Sequence, residues 1–466
     1  MVSSTVLALL VGGAFARPAQ NFQDAHPMAS DLKAHPRTYP TGVPSVFTGN
    51  TPRINCTHNG THGDTPAVSW LPETEKVRGV NLGSQFIIEP WMTYDEWNSM
   101  GCGHLNDEWQ CVGELGQETA DIVFEKHWDT WITREDIDRI SSLGLNVVRI
   151  PVGFWMKEDL VLKQENYPRG GIGYLDRLVG WAADAGLYVI LDLHGAPGSQ
   201  YPNQEFTGHV SERFKWIAST DLFEQRVDVP GFYTPENYER ALNFLEWIAK
   251  RIYSNKSYRT TGVLQVMNEP VHASDYPVEA ADMIKNFYPS AYTRIRATER
   301  SLGVRSGSEL KIQYMGKVWG AGDPTTYLPA DATNLLFDDH RYYKWDPNIE
   351  QTKDDYISAA CSDDRGGADT IVGEWSLSIS DEYQNNFNFT IGAGAGIDPI
   401  TQKKWYQSFW AAQVQAFEHS RGHIFWSYKC NWIGGMDEWR WCYQSAVANG
   451  VIPTDASSTV SLSPCS

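Results

Sequence analysis

The chain has 466 residues, 42% of them hydrophobic and 13% aromatic, which is ample material for a single large core. Its 57 acidic against 38 basic side chains leave a formal charge of −19. That balance argues against nucleic acid or an anionic membrane as a partner, since both require a positive surface, and it suits a neutral ligand.

Near the N-terminus, 6–13 is a short apolar run that leads into Ala14-Phe15-Ala16, an A-x-A pattern suited to cleavage at Ala16. Residues 1–16 are therefore expected to be a signal peptide, the run being too short to span a bilayer. Residues 17–70, rich in Pro, Thr, Ser, His and Gly, read as an irregular extension, either flexible or strapped against the domain that follows. His58 and His62 stand four apart there, but Gly60 and Gly63 oppose a helix that would align them, so no metal site is expected. Asn55, Asn59, Asn255 and Asn388 each begin an N-x-[ST] glycosylation sequon. Of the seven cysteines, Cys102 with Cys111 and Cys430 with Cys442 are expected to pair, leaving Cys56, Cys361 and Cys465. These features predict a secreted protein with no membrane-spanning helix.

Eight apolar runs follow in order, at 77–82, 146–152, 188–194, 263–269, 311–316, 334–342, 370–375 and 423–428. Most are continuous, as in parallel strands buried on both faces. Helix patterns lie between several of them. Thr133 to Asp136 looks like a capping box ahead of Ile137, Ile140 and Leu143, with Gly144 where the helix should stop. Leu175, Leu178, Val179 and Ala182 share one face, and Thr234-Pro235-Glu236 starts a helix carrying Leu242, Leu245, Trp247 and Ile248. The alternation predicts an α/β chain: a single (β/α)8 TIM barrel over 71–453, with enlarged βα loops because the barrel itself takes roughly 250 residues. Residues 454–466 read as a C-terminal tail, and the glycine-rich 392–396 run, lacking a Lys-Ser/Thr ending, reads as loop.

A barrel of this kind builds its active site at the C-terminal ends of the strands, where the polar residues of this sequence cluster. V-M-N-E-P ends the fourth run on Glu269, and I-V-G-E-W-S places Glu374 at the end of the seventh. A glutamate that follows a buried strand needs partners or a task. Hydrolysis of a glycosidic bond needs one carboxylic acid to protonate the leaving oxygen and, with retention, a second carboxylate roughly 5 to 5.5 Å away to attack the anomeric carbon. Glutamates on the fourth and seventh of eight strands face each other across the ring. Arg149 and Tyr342 would keep one of them ionised as the nucleophile. The other, near Asn268 and His340 in less polar surroundings, would hold a proton. Taken singly, His194 and Trp426 fit a core better than a site, and Arg149 fits a plain ion pair equally well; their joint placement at successive strand ends favours a site. Trp91, Trp97, Trp319, Trp345 and Trp432 follow strand ends, where each could stack on a sugar ring or pack a loop. Nucleophile and acid are both side chains, so neither a metal nor an organic cofactor is expected.

R-I-P at Arg149, L-H-G at His194, N-E-P at Asn268 and Glu269, H-R-Y at His340 and Tyr342, G-E-W at Glu374 and F-W-S at Trp426 resemble the signature of glycoside hydrolase family 5. This is a clan A family of retaining (β/α)8 enzymes, and the likeness runs from Arg78 to Lys429. It implies Glu269 as acid/base and Glu374 as nucleophile, with Arg149, His194, Asn268, His340, Tyr342 and Trp426 shaping the subsite where the bond breaks. R-G-V-N-L-G, I-E-P-W-M-T and L-H-G-A-P-G-S-Q are similar to the fungal exo-β-1,3-glucanases, in which the glutamate matching Glu89 contacts the sugar. Gly83-Ser84-Gln85 and the loop 201–208 depart from that branch. V-N-L-G-S-Q-F-I-I-E-P-W-M, followed by E-W-x-S-M-G-C, looks more like the fungal endo-β-1,6-glucanases. The resemblance therefore implies a β-glucan substrate, cleaved internally at β-1,6 bonds, and an extracellular or cell-wall location; a monomer is expected. An exo-β-1,3-glucanase or another family 5 hydrolase, such as a cellulase or mannanase, is the alternative. A non-catalytic glucan-binding wall protein is the reading of a different class, against which the intact glutamate pair with Arg149 and Tyr342 argues.

Overall fold

A computed structural model describes residues 67–466 apart from 212–213, 219–223, 351, 381–398, 434–435, 438, 462–463 and 466. The expected signal peptide, Asn55, Asn59, Asn388, Cys56, His58, His62, the 392–396 run and nearly all of the 17–70 extension lie outside the described residues.

Eight parallel strands close into a barrel. In chain order they are β1 (Val77–Asn81), β2 (Val147–Gly153) and β3 (Tyr188–Gly195), then, past an antiparallel hairpin of β4 (Phe214–Ala218) and β5 (Glu224–Asp228), β6 (Thr261–Gln265), β7 (Lys311–Met315), β8 (Leu335–Arg341), β9 (Thr370–Trp375) and β10 (Gly422–Phe425). The ring order is β1-β10-β9-β8-β7-β6-β3-β2, and β1 closes it by pairing Val80 with Phe425 on one side and with Val148 on the other. This is the (β/α)8 architecture that the eight apolar runs predict.

Apolar side chains point both ways from these strands. Val77, Val147, Ile190, Val263, Leu336, Ile371 and Ile424, from seven of the strands, form one buried cluster with Leu71, and Trp70 packs against it. Trp70 comes so close to β6 that a Cβ on Gly262 would lie 2.6 Å from its own Cβ, which leaves room there only for glycine. On the outside, helices bury the faces that the sequence marks. Thr133 and Asp136 form the expected capping box at Arg134–Ser142, and Ile137 and Ile140 are buried. Thr234 caps Pro235–Ser254 by accepting from the amide of Asn237; Leu242, Leu245 and Ile248 of that helix are buried, while Trp247 is only half-buried.

Two strand ends differ from expectation. The run expected to reach Glu269 is regular only to Gln265. The amides of Val266 and Asn268 still bond to Gln313 and Leu193 of the adjoining strands, but Glu269 then turns the chain away at φ 34°. The last run is regular over Gly422–Phe425 rather than to Tyr428. The long loop after β1 folds into helices at Tyr94–Ser99, Glu108–Leu115 and Gln117–Thr130. Cys102 pairs with Cys111 and Cys430 with Cys442 as expected, and Cys361 pairs with Cys465 across 104 residues. The tail also forms a short turn at Ala456–Ser461, where the Ala456 amide donates to Leu143 O. Asn255 is half-buried and accepts from the Ser257 amide. No helix among the described residues is long and apolar enough to cross a membrane.

His423 of β10 gives the fold a pH dependence. It is 2% exposed, neither ring nitrogen has a hydrogen-bond partner among the described residues, and Trp375 and Trp410 pack edge-on against it. Burial pulls its pKa from 6.5 down to about 4, with Glu418 opposing and Arg78 adding to the shift. Between these values the unfolded chain binds a proton that the folded chain refuses, so stability falls as pH drops from about 6.5 to about 4. The two pKa values correspond to roughly 3 kcal/mol at most. We expect His423→Phe to flatten that part of the stability curve, measured by denaturant unfolding at a series of pH values.

Candidate active site

Arg149, fully buried near the middle of β2, organises the C-terminal mouth of the barrel. Its Nε donates to Gln265 Oε1 at 2.9 Å. Nη1 donates to Asn81 Oδ1 at 2.9 Å and to Glu374 Oε1 at 2.8 Å, and Nη2 to Asn268 Oδ1 at 2.7 Å. Nη2 also lies 2.8 Å from Asp192 Oδ2 and 3.8 Å from Asp338 Oδ2. Burial alone would weaken this cation's hold on its proton, but the carboxylates of Asp192, Glu374 and Asp338 raise its pKa instead. Asp338 in turn accepts from Gln265 Nε2 at 2.7 Å and from the Gly373 amide at 2.8 Å. A Cβ on Gly373 would fall 2.1 Å from Asp338 Oδ1, so the residue before Glu374 must be glycine. Asp192, Asp338, Gln265 and Asn81 were not among the sequence-derived candidates. Their only signal is a polar residue interrupting an apolar run.

Glu269 and Glu374 meet as expected. One oxygen of each, with one His340 nitrogen, lie within 4.8 Å of one another. The distance fits the short carboxylate separation of retaining glycosidases, about 5 to 5.5 Å, rather than the wider gap of inverting ones. These three residues are the one set among the described residues whose His and carboxylate atoms converge closely enough to ligate a cation. Glu374 receives Arg149 on one oxygen and Tyr342 Oη on the other, each at 2.8 Å. Glu269 Oε1 lies 2.5 Å from His340 Nδ1, which is also 3.5 Å from Glu374 Oε2.

The proton affinities in the open site run opposite to the expected split. Burial pushes Glu269 up, but the hydrogen bond and charge of His340, helped by His194 and His272, outweigh it and hold the carboxyl below its ordinary value. Burial raises Glu374 despite His340 and Arg149, with Glu269 adding to the rise. Burial lowers the proton affinity of His340, but Glu374, Asp338 and the bond to Glu269 outweigh it and raise the imidazole well above its ordinary value. The sequence reading treated His340 as a polar neighbour; buried between carboxylates it is a third member of the titrating set.

Around this pair, His194 Nδ1 donates to Asp192 Oδ2 at 2.7 Å, and the ring stacks on Trp426 with centroids 5.7 Å apart and planes 3° from parallel. Glu89, 6% exposed, accepts from Trp91 Nε1 at 2.8 Å. Trp91, Tyr342 and Trp345 pack with Met92, Trp426 and Trp441 in one aromatic cluster. Trp441, hidden in a loop beside Cys442, was not anticipated. Trp319 is half-buried, fixed by a bond from Nε1 to Pro270 O at 2.9 Å and edge-on to His340. Trp97 is 1% exposed and belongs to the main core, so it is no sugar platform. Trp432 lies on a short strand whose side chains are outside the described residues.

A (β/α)8 barrel with two opposed glutamates, an arginine and a tyrosine on one of them and a histidine on the other, defines a glycoside hydrolase. Residues 112–429 match the family described as Cellulase (glycosyl hydrolase family 5), and the chain belongs to that family. It is 47% identical over 398 residues to "Glucan endo-1,6-beta-glucosidase B" of Emericella nidulans, covering 85% of this chain and 90% of the relative. It is 43% identical to "Probable glucan endo-1,6-beta-glucosidase B" of Aspergillus terreus, covering 86% and 96%. Against "Glucan 1,3-beta-glucosidase" of Kluyveromyces lactis the identity is 30%, over 82% and 89%. Among solved structures, the rutinosidase from Aspergillus niger shares the fold with a TM-score of 0.59 at 20% identity, covering 82% of this chain and 99% of that one.

Because Arg149 neutralises several buried carboxylates, Arg149→Met should cost about 3 to 5 kcal/mol, the usual penalty for stranding buried charge. Chemical denaturation at neutral pH measures this, and a loss under 1 kcal/mol would contradict the network described.

Proposed function

We propose that the protein is a secreted, retaining β-glucanase that cleaves β-1,6-linked glucan internally by double displacement. The observation that carries the mechanism is the approach of Glu269 and Glu374 oxygens to within 4.8 Å, with Arg149 and Tyr342 both bonded to Glu374. Two donors on its oxygens orient Glu374 and favour its charged form at the moment of attack. Glu374 would attack the anomeric carbon as Glu269 protonates the leaving oxygen; Glu269 would then take a proton from the water that releases the sugar. His340 Nδ1 stands one hydrogen bond from Glu269 Oε1, so a single proton transfer between them would arm the acid. The strained backbone at Glu269 and the bond from Gln200 Nε2 to Asn268 O, 3.1 Å, hold the acid over that position.

The linkage reading is supported by the relatives named for endo-1,6 cleavage at 43 to 47% identity, against 30% for the one named for 1,3-glucan. Three disulfides and the A-x-A leader support secretion. Glu89, Asn268, His194 and Trp426 would hold the glucose on one side of the bond. Trp319, edge-on to His340 beside the acid, would stack on the sugar that leaves.

Glu374→Gln should reduce glucan hydrolysis to background. Glu269→Ala should lower it by about 10² to 10⁴-fold while still cleaving substrates with good leaving groups. Full activity of either variant would refute the assigned roles. On pustulan, a β-1,6-glucan, we expect oligomers of mixed length whose newly formed ends are initially β by proton NMR. Glucose released solely from laminarin, a β-1,3-glucan, would favour the exo-β-1,3 alternative.

A further inference from the structure

The loop after β3 carries a carboxylate with no part in the double displacement. Glu205 opens a short turn, Glu205–Thr207, that is fixed from several directions. Gly208 O accepts from the Trp109 amide at 3.1 Å, Thr207 Oγ1 donates to Gln204 O at 2.8 Å, and Phe206 stands edge-on to His194 with centroids 5.7 Å apart. Trp155 lies so close to Gly195 and Gly208 that a Cβ on either would overlap its ring, at 2.6 and 2.3 Å. The turn is thus seated on the rim of the catalytic hollow beside the His194–Trp426 stack.

Glu89 is coupled to this turn by charge. After burial, Glu205 is the strongest influence raising Glu89's affinity for a proton, ahead of Glu374 and Glu269. Glu205 is itself raised, by burial first and then by Asp107. Open hydrogen-bonding capacity marks the hollow independently. Glu89 is 94% buried, its Oε2 takes Trp91, and its Oε1 accepts no bond from any described residue. Among the described residues Asn268 Nδ2 is buried without a partner, and the Glu205 carboxylate takes a bond only from its own backbone amide. Buried polar groups left open at a site are those a ligand satisfies. A sugar hydroxyl suits all three, since it can donate to a carboxylate and accept from an amide.

We propose that Glu205 is a specificity-determining residue which, together with Glu89, hydrogen-bonds the 3- and 4-hydroxyls of the glucose on the non-reducing side of the scissile bond and thereby selects that sugar's linkage. The inference rests on the reading of the protein as a β-glucanase. An internal glucose of a β-1,6 chain keeps its 2-, 3- and 4-hydroxyls, because the chain leaves through O6. In a β-1,3 chain O3 carries the next sugar, so one of the two carboxylates would be buried against an oxygen with no proton to give. A site built to bond a hydroxyl rejects the analogue that lacks it.

The test compares 4-nitrophenyl β-gentiobioside with 4-nitrophenyl β-laminaribioside, which differ only in the 1,6 or 1,3 bond between their two glucose units. The wild type should prefer the gentiobioside. Glu205→Ala should lower kcat/KM on it about ten-fold or more and shift the preference between the two by at least about five-fold, since removing one hydroxyl contact has effects of this order. Glu205→Gln, which keeps an acceptor oxygen, should fall between, and it decides the matter should the alanine variant not fold. A preference within about two-fold of wild type in the folded variants overturns the proposal, even if both rates fall together. A wild type that prefers the laminaribioside instead sinks the β-1,6 reading, while the response of the ratio to Glu205 still judges this residue by itself.

Discussion

A guanidinium sealed inside the barrel constrains everything above it. Arg149 has no exposed surface, and a buried cation survives only if opposite charge and hydrogen bonds meet it at every face. Its partners come from β1, β3, β6, β8 and β9 and from the turn after β6: Asn81, Asp192, Gln265, Asp338, Glu374 and Asn268. A slip of one residue in any of these strands would turn its contribution to the other face of the sheet. The need to satisfy one charge therefore fixes the register of most of the barrel, and with it the place of Glu374. The same need explains Gly373, since Asp338 occupies the space where a side chain would stand.

The rim is held by different means. Asp107 ties the β1 loop to the β3 loop through the Val210 amide at 2.6 Å, while Cys102–Cys111 and Cys430–Cys442 close short loops on either side. Trp91 and Trp441 meet edge-on at 5.1 Å, joining the first and last of the large loops over Trp426. Strand ends thus supply the chemistry with side chains that share one rigid network, and loops supply selection with side chains that each answer to local packing. This division allows specificity to change without disturbing the reacting carboxylates.

The sequence made the barrel legible because buried parallel strands leave continuous apolar runs, and all eight runs correspond to strands. The two glutamates were legible for the same reason, as acids terminating such runs. Glu269 lies beyond the regular part of its strand, and only a backbone held at positive φ brings it back over the site, which no pattern of residue types foretells. The polar interior, Asp192 and Asp338 above all, was missed because one polar residue inside an apolar run looks like noise until its partners, far away in the chain, are known. Trp97 shows where residue type leaves two readings open: a tryptophan after a strand end can be a sugar platform or packing, and here its indole Nε1 bonds Leu105 O and the ring fills core. The division of proton affinity is not legible in the residue order either. Arg149 is shared among three carboxylates, and His340 lies against both glutamates, so each affinity depends on partners far away in the chain.

The charge of the site narrows the ligand further than the net charge of the chain does. Glu89, Glu205, Glu269 and Glu374 crowd one hollow against a single arginine, already committed, and a single imidazolium. Any anionic ligand would add to the repulsion that, after burial, raises Glu89 and Glu374. A cationic ligand would neutralise the nucleophile. A neutral polyol does neither: it excludes water, donates hydrogen bonds from its hydroxyls to carboxylate oxygens still open, and leaves the one separation of charge at its anomeric carbon. Crowded acids that would be a fault in an empty fold are in this way matched to a sugar, and the surplus of negative charge becomes a filter rather than a cost.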